Sequence, residues 1–236
     1  MERQIEQANV TLLNDLNVMM DNVTLKVRII RLWTRPLFNS TKGFYSKEMI
    51  IMDEAGNKVQ CNVLYKNYGN FSHLLHENQC IFIDNPTFDE NKAKYKYVIN
   101  AHKVSLNQNT TIRRCNNFAG SRYGFSFAAF QAVLERTIDL THTIDIIGMI
   151  DGIHKMVVET LANGKLSKRI NLKLQDLNGH YLDVTLWDAY AEQMATFQAK
   201  NADRAGVVII LQFAKVKMMG VSICCCIFIF TIGYDL

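Results

Sequence analysis

Proline and glycine are scarce in this chain. The 236 residues include two prolines and 12 glycines, with no short-period repeat. Collagen-like and largely disordered chains need far more of these residues, so both architectures are excluded. Hydrophobic residues make up 49% of the sequence and charged residues 20%, which is typical of folded globular proteins. At this length, two domains of about 100 residues each are the natural expectation.

Paired cysteines are absent as well. The six cysteines occur at Cys61, Cys80 and Cys115 and in the run 224–226, and none forms a CxxC pair. A zinc ribbon needs paired thiolates that reach one tetrahedral ion. We therefore expect no metal site and no other cofactor. The N-terminus, MERQIEQANV, is polar and lacks a signal peptide, which predicts reduced and mostly buried thiols in an intracellular protein.

Catalytic signatures are missing too. The sequence contains no Walker loop, no GxSxG and no HExxH, and its six histidines are dispersed. We therefore expect a binding protein rather than an enzyme.

The longest apolar segment is too short to cross a membrane as a helix. It spans residues 221–232, which is 12 residues, whereas a spanning helix needs about 20. A buried strand is the better interpretation, and we expect no membrane partner.

Alternating apolar and polar residues predict strands in the first half. Residues 22–33, NVTLKVRIIRLW, show the period of two that is typical of a half-buried strand. The turn DEAGN separates the next two strand-like runs, as in a hairpin. The remaining elements follow in the order strand, strand, helix, strand, strand, over residues 45–52, 58–64, 65–78, 79–84 and 95–106.

The same order of elements recurs in the second half. Its segments are strand-like at 143–153, 168–175 and 181–187, helical at 189–197, and strand-like at 207–216. Five strands with a helix between the third and the fourth form the OB plan, which binds oligonucleotides along an open face of its sheet. The duplication predicts an all-β protein with short helices, built as two tandem five-stranded OB-fold barrels.

This duplication sets the predicted domain organisation. Residues 1–14 form an N-terminal extension, 15–106 the first OB domain, 107–126 a basic linker, and 127–236 a second OB domain with an atypical apolar C-terminus.

Positive charge is concentrated in the first half. Residues 21–106 carry 12 Lys and Arg against 8 Asp and Glu, and residues 107–126 carry three arginines and no acid. Residues 127–222 carry 10 of each. The first half is thus the better electrostatic match for a polyanion, although a solvated basic face without a partner has the same composition.

Five strings in the chain carry a resemblance to a known family. They are Asp15-Leu16-Asn17 with LKVRIIRLW after it, EMIIMDEAGNKVQCNV at 48–63, IDIIGMI at 144–150, LQDLNGHYLDVTLWDAYAEQ at 174–193 and VVIILQFAKVK at 207–217. They resemble the central DNA-binding region of the replication protein A large subunit, particularly in its plant versions. The resemblance implies a nuclear protein that binds single-stranded DNA without sequence preference during replication, repair and recombination.

In the second barrel, the resemblance implies three DNA-contacting residues. Trp187 matches the family's stacking aromatic at the end of the third strand, and Arg169 and Lys215 match basic positions of the same groove. Strand alternation places Leu186 inside and Trp187 on the opposite face, although a core tryptophan is the alternative. Each stacked base is worth about 1 to 3 kcal/mol, and cations neutralise the phosphates.

In the first barrel, the resemblance implies phosphate contacts and stacking rings. Arg35 and Lys42 fall in the loop between the first two strands, where the family carries phosphate-contacting arginines. Tyr97 or Tyr95 lies where the family has its second stacking ring, on the last strand of the barrel. These two tyrosines share one face, so the choice between them stays open, as does a solvated edge strand.

Departures from the family pattern leave a second function open. The family's stacking phenylalanine of the first barrel corresponds to Leu64, with Tyr65 beside it, and an aromatic of the second barrel is replaced by Met218-Met219-Gly220. The family continues into a third, zinc-containing OB domain that joins the smaller replication protein A subunits, whereas this chain ends CCCIFIFTIGYDL. That ending argues against those subunits as partners. An OB-fold adaptor that binds proteins is therefore the alternative to DNA binding.

Overall fold

A computed structural model describes residues 10–38, 43–93, 96–201, 206–217, 222–225 and 228–232. These residues form mostly β-strands, and the chain divides into two compact units, Met1–Gly124 and Phe125–Leu236.

The first unit begins with a single-turn 3₁₀ helix at Leu13–Asp15. Its strands are β1 (Thr24–Pro36), β2 (Phe44–Met52), β3 (Lys58–Leu64), β4 (Cys80–Asp84), β5 (Thr87–Glu90), β6 (His102–Leu106) and β7 (Thr111–Arg114), and a short helix, α1 (Tyr65–Tyr68), follows β3.

The seven strand segments of the first unit form a closed five-stranded sheet. Their order is β5-β6-β3-β2-β1-β4-β7. Only Asn85 and Pro86 separate β4 from β5, and residues 107–110 separate β6 from β7. The two edges of the sheet are therefore continuations of strands that already pair inside it. When β4 with β5, and β6 with β7, are each counted as one long strand, the segments make the five-stranded OB barrel that the sequence predicts.

A threonine holds the two strand interruptions together. The Thr110 hydroxyl donates a hydrogen bond to the Asn85 carbonyl oxygen at 3.1 Å, and it accepts one from the Asn107 backbone N–H at 3.0 Å. Asn85 has a φ of 54°, in the left-handed region that asparagine tolerates better than most residues. Both long strands thus bend at the same place.

The core of the first unit comes from the inward residues of alternating strands. Leu25, Val27 and Ile29 of β1 are fully buried against Met49 and Ile51 of β2. Burial of each such side chain contributes about 1.5 to 3 kcal/mol. The pairing of β1 with β2 is irregular between Ile29 and Arg31, which marks a bulge.

Part of the segment predicted to be a linker belongs to the first unit. Residues 111–114 form β7, which pairs with β4, and Ile112 packs against the core. Farther along, the Lys26 ammonium contacts a carboxylate oxygen of Glu54 at 2.9 Å and the Asn117 carbonyl oxygen at 3.0 Å. The Arg28 guanidinium lies 4.9 Å from the centre of the Phe118 ring. The polar composition that suggested a linker is compatible with a strand here, because ladder hydrogen bonds use only the backbone.

The second unit repeats this plan with one extra hairpin. Its elements are α2 (Phe130–Leu134), β8 (Ile144–Ile153), β9 (Val157–Thr160), β10 (Leu166–Gln175), β11 (Tyr181–Trp187), α3 (Ala189–Lys200), β12 (Val208–Lys217), β13 (Ser222–Cys225) and β14 (Phe228–Ile232). Sequence patterns do not predict β9, whose four residues are all exposed.

Pairing closes the second sheet as well. β8 pairs with β10 and β12, and β11 pairs with β10. β13 lies between β11, to which it runs parallel, and β12, to which it runs antiparallel. β14 continues along β12. The apolar C-terminal segment therefore supplies the closing strand of the barrel, in agreement with the expectation of a strand there.

A buried carboxylate fixes the irregular part of β12. The pairing of β12 with β8 shifts between Leu211 and Ala214, and Phe213 has a φ of 56°. Asp145 of β8 is buried, and its Oδ1 accepts a hydrogen bond from the Phe213 backbone N–H at 2.9 Å. Its Oδ2 accepts one from the Ser126 N–H, also at 2.9 Å. Asp145 thus holds both the bulge and the segment that leads into the barrel.

We expect the substitution Asp145→Asn to lower the free energy of unfolding by roughly 1 to 3 kcal/mol, because the amide NH₂ would face a backbone donor and leave it unpaired. Urea unfolding monitored by circular dichroism measures the change. Asp151→Asn is the matched control, since Asp151 lies in the same strand and is exposed. Equal stability of the two variants would contradict the role assigned to Asp145.

Candidate nucleic-acid interface

Three aromatic rings meet where β2 begins and α1 starts. The Phe44 ring centre lies 4.9 Å from that of Tyr65 and 5.4 Å from that of Tyr68, and both pairs are edge to face. Tyr65, the first residue of α1, is 59% exposed, so part of its ring is open to solvent. We call Phe44, Tyr65 and Tyr68 the ring cluster. Edge-to-face pairs of this kind contribute about 0.5 to 1.5 kcal/mol beyond burial, which helps to fix the ring orientations.

One cation, Lys47, borders the ring cluster, and a second, Arg35, lies beside Tyr45. The Lys47 ammonium lies 5.2 Å from the Phe44 ring centre and 5.6 Å from that of Tyr68, and it donates a hydrogen bond to the Thr34 hydroxyl at 2.6 Å. The Arg35 guanidinium lies 5.1 Å from the centre of the Tyr45 ring. These contacts are to rings and a hydroxyl, which leave the positive charges able to attract an anion.

A second aromatic pair joins Trp33 of β1 to Tyr97. The Trp33 and Tyr97 ring centres are 5.0 Å apart with an angle of 65° between the rings. The family resemblance predicts Tyr97 on the last strand of the barrel, and this placement is wrong. That strand begins at His102, and Tyr97 lies in a bend before it. Tyr95 lies outside the described residues, so the choice between the two tyrosines stays a prediction.

Arg35 also differs from its predicted setting. It was expected in the loop after the first strand, but β1 continues to Pro36 and Arg35 lies opposite Ser46 of β2. The longer strand pairing keeps Arg35 on a fixed position of the ladder rather than on a loop. Lys42, its predicted neighbour, lies outside the described residues.

In the second unit, Trp187 and Arg169 are direct cross-strand neighbours. Trp187, at the end of β11, lies opposite Arg169 of β10. Leu186 is fully buried in the core and Trp187 is half-buried, so the predicted alternation of these two residues holds. Because opposite residues of an antiparallel pair project to the same face, the Arg169 and Trp187 side chains share the outer face.

Lys215 lies on the same outer face, on β12, which is separated from β11 by β13. Its position on β12 is opposite Cys224 of β13, which lies beside Thr185 of β11. Thr185 and Trp187 are two residues apart on one strand and therefore point the same way. The register thus brings the three predicted DNA contacts of the second unit to one side of its sheet.

Acidic side chains already contact the basic residues of β10. The Arg169 guanidinium donates from Nη2 to Oε1 of Glu159 at 2.8 Å and from Nε to the same oxygen at 3.2 Å. Lys168 is paired with Glu192 of α3. Lys168 and Arg169 thus have carboxylate partners, whereas the described contacts of Lys47 and Arg35 are to rings and a hydroxyl.

Sequence patterns missed several members of this interface. Phe44, Tyr68 and Lys47 were not selected. The signal was present in the string FYSK at 44–47, which places aromatic and basic residues next to each other at the start of a strand. Only the chain path brings that string beside α1.

In the described part of the chain, no three or more His, Cys, Asp and Glu side chains are grouped to hold a metal ion. No helix among the described residues combines the length and hydrophobicity needed to cross a bilayer.

Two curated proteins share sequence similarity with this chain. It is 24% identical over 98 residues to a 70 kDa DNA-binding subunit of replication protein A from Arabidopsis thaliana, covering 41% of this chain and 12% of that protein. It is 22% identical over 193 residues to the replication protein A 70 kDa DNA-binding subunit of Xenopus laevis, covering 79% of this chain and 31% of that one. The chain therefore spans a minor part of the length of both relatives.

A solved structure has the same fold. A replication protein A heterotrimer bound to single-stranded DNA matches 94% of this chain and 51% of its own chain, with a TM-score of 0.61 and 17% identity. This likeness agrees with two OB folds in series.

At the level of families, residues 14–136, which are 123 of the 236, match the profile described as Domain of unknown function DUF223. The match covers more than half of the sequence, and the chain accordingly belongs to the DUF223 family.

Proposed function

We propose that this chain binds single-stranded DNA without sequence preference and acts by binding rather than by catalysis. The observation that carries the proposal is the ring cluster with Lys47 beside it. Phe44, Tyr65 and Tyr68 contact one another at the end of an OB barrel, and a cation lies within 5.6 Å of two of the rings.

The physical chemistry of the ring cluster suits an unpaired strand. Every base has a π-face, so a base that stacks on an aromatic ring gains about 1 to 3 kcal/mol whatever its identity. The exposed part of Tyr65 offers such a surface. Lys47, beside the rings, and Arg35, beside Tyr45, would neutralise phosphates of the bound strand, and displacement of counterions by such contacts makes binding weaken with salt.

The second unit is proposed as a second binding module. Trp187 supplies its stacking ring, and Arg169 and Lys215 supply its phosphate contacts, because the strand register brings all three to the outer face. The domain boundaries near residues 15 and 127 remain a prediction, as do contacts from Lys42 and Tyr95.

The cellular setting is proposed from the relatives. Both curated proteins are named as replication protein A DNA-binding subunits. We therefore propose a nuclear role in replication, repair and recombination, and a relation to the plant versions in particular. Association with other replication protein A subunits, which the C-terminal sequence argues against, is proposed only because both relatives are named as subunits.

The ring cluster is tested by the substitution Tyr65→Ala. We expect it to weaken binding of a labelled oligo-dT of about 30 nucleotides by roughly 5- to 100-fold, which corresponds to the loss of one stacked base. Fluorescence anisotropy at two salt concentrations measures the affinity. Tyr123→Ala is the matched control, because Tyr123 is also exposed and has an arginine over its ring, at 5.4 Å, but is not a member of the ring cluster. If wild type fails to bind, the protein-binding adaptor becomes the better hypothesis.

Trp187 is tested by its own fluorescence. The chain contains two tryptophans, Trp33 and Trp187, so the variant Trp33→Phe leaves Trp187 as a single reporter. We expect its emission to be quenched when oligo-dT is added, because a stacked base quenches indole emission, and we expect Trp187→Ala to weaken binding by a similar factor to Tyr65→Ala. Unchanged emission at a saturating concentration of DNA would remove Trp187 from the interface.

A further inference from the structure

Glu159 and Arg169 are in direct contact on the second sheet. Arg169 is opposite Trp187, and its guanidinium is held by one carboxylate oxygen of Glu159 through Nη2 and Nε. Glu159 belongs to β9, the edge strand of the second sheet. The DNA phosphate next to a base stacked on Trp187 would need the same N–H donors of the Arg169 guanidinium.

The contact is accessible to a competing anion. The Glu159 side chain is 49% exposed and that of Arg169 is 35% exposed, and all four residues of β9 are exposed. A carboxylate and a phosphate bind a guanidinium with the same planar geometry, so they exclude each other at one edge of it. An exposed ion pair of this kind is weak enough to be displaced.

We infer that Glu159 is an internal competitor for the DNA phosphate at Arg169, and that it sets the affinity of the second unit for a polyanion. This inference rests on the proposed function. Glu159 occupies Arg169 in the free protein and yields it when a phosphate arrives. The first unit has no matching arrangement at Lys47, whose described contacts are to two rings and a hydroxyl.

The test is a double-mutant cycle on the full chain with oligo-dT of about 30 nucleotides. Glu159→Gln should tighten binding roughly 1.5- to 5-fold at low salt, in proportion to the strength of an exposed ion pair. The gain should vanish when Arg169→Ala is also present. Glu135→Gln removes the same charge from the same unit, and the Glu135 carboxylate is bonded to Gln131 rather than to a cation, so it is the matched control.

The outcomes separate two failures. If wild type binds and Glu159→Gln equals Glu135→Gln, or if its gain persists with Arg169→Ala, the competitor role is overturned and the proposed function stands. If wild type does not bind oligo-dT at all, both fall together.

Cys80 and Cys115 of the first unit lie across from each other at the end of the β4–β7 ladder. Ile81 of β4 is opposite Arg114 of β7, so Cys80 and Cys115 occupy the next position of the ladder. The Cys115 N–H donates a hydrogen bond to the Cys80 carbonyl oxygen at 3.0 Å. Residues paired in this way have Cα atoms about 5.5 Å apart, which lies within the range that a disulfide needs. Both cysteines are buried in one cluster, with Phe118 packed against it.

We infer that Cys80 and Cys115 are a modification site at which the two thiols form a disulfide with each other, with a low-molecular-weight disulfide such as oxidised glutathione as the oxidant. One thiolate attacks the glutathione disulfide and releases one glutathione, and the other then displaces the second. Two protein thiols are oxidised and one glutathione disulfide is reduced to two thiols, which take up the two protons. The bond would tie the segment after β7 to the barrel.

Peptide mapping by mass spectrometry tests this site after incubation of the reduced full chain with oxidised glutathione at pH 8.5. Burial raises the pKa of the Cys80 thiol, so exchange should take hours and speed up with pH. We expect a peptide that joins Cys80 to Cys115, lost in Cys80→Ser and in Cys115→Ser but kept in Cys61→Ser, because Cys61 is fully buried in the core. Failure to find that peptide in wild type, with other thiols modified, would overturn the inference.

Discussion

The parallel pairing of the third strand with the last strand is the interaction on which each unit depends. β3 pairs with β6 and β11 pairs with β13, and these are the parallel pairings within the two sheets as described. Such a pairing joins residues far apart in sequence, so it forms only after the chain has crossed the barrel. Once formed, it leaves no open sheet edge between the third and the last long strands, which protects these strands from association through an edge.

Closure also decides where the chemistry lies. Side chains that alternate outward along the closed sheet cannot reach the core, so the apolar half of each strand stabilises the unit while the other half is available for contacts. β11 illustrates this division, since Leu182, Val184 and Leu186 are buried and Trp187 is not. The rings of the first unit lie at strand ends and at the start of α1, where side chains project beyond the sheet.

Most of the fold and a part of the site followed from sequence patterns. Alternation was sufficient for β1, β3 and β11, because one face of each strand is buried and the other is not. It failed for β7 and β9, because each of these strands has only four residues and too little apolar surface to show a period. The contact between Phe44 and Tyr65 could not be predicted either, since it depends on how the chain turns between β2 and α1. Ion pairs such as that of Arg169 with Glu159 depend on a hairpin that alternation did not reveal.

The two bulges have a geometric effect on the outer surface. Along β1, Leu25, Val27 and Ile29 face inward, but after the irregularity Leu32 packs against the core. Along β12, Ile209 and Leu211 face inward, and after Phe213 the inward residues are Ala214 and Val216. One extra residue thus exchanges odd for even positions. If the same residues paired in a regular ladder without the bulges, strict alternation would turn Trp33, Arg35 and Lys215 toward the hydrophobic interior, so the outward direction of these side chains depends on one extra backbone unit in each strand.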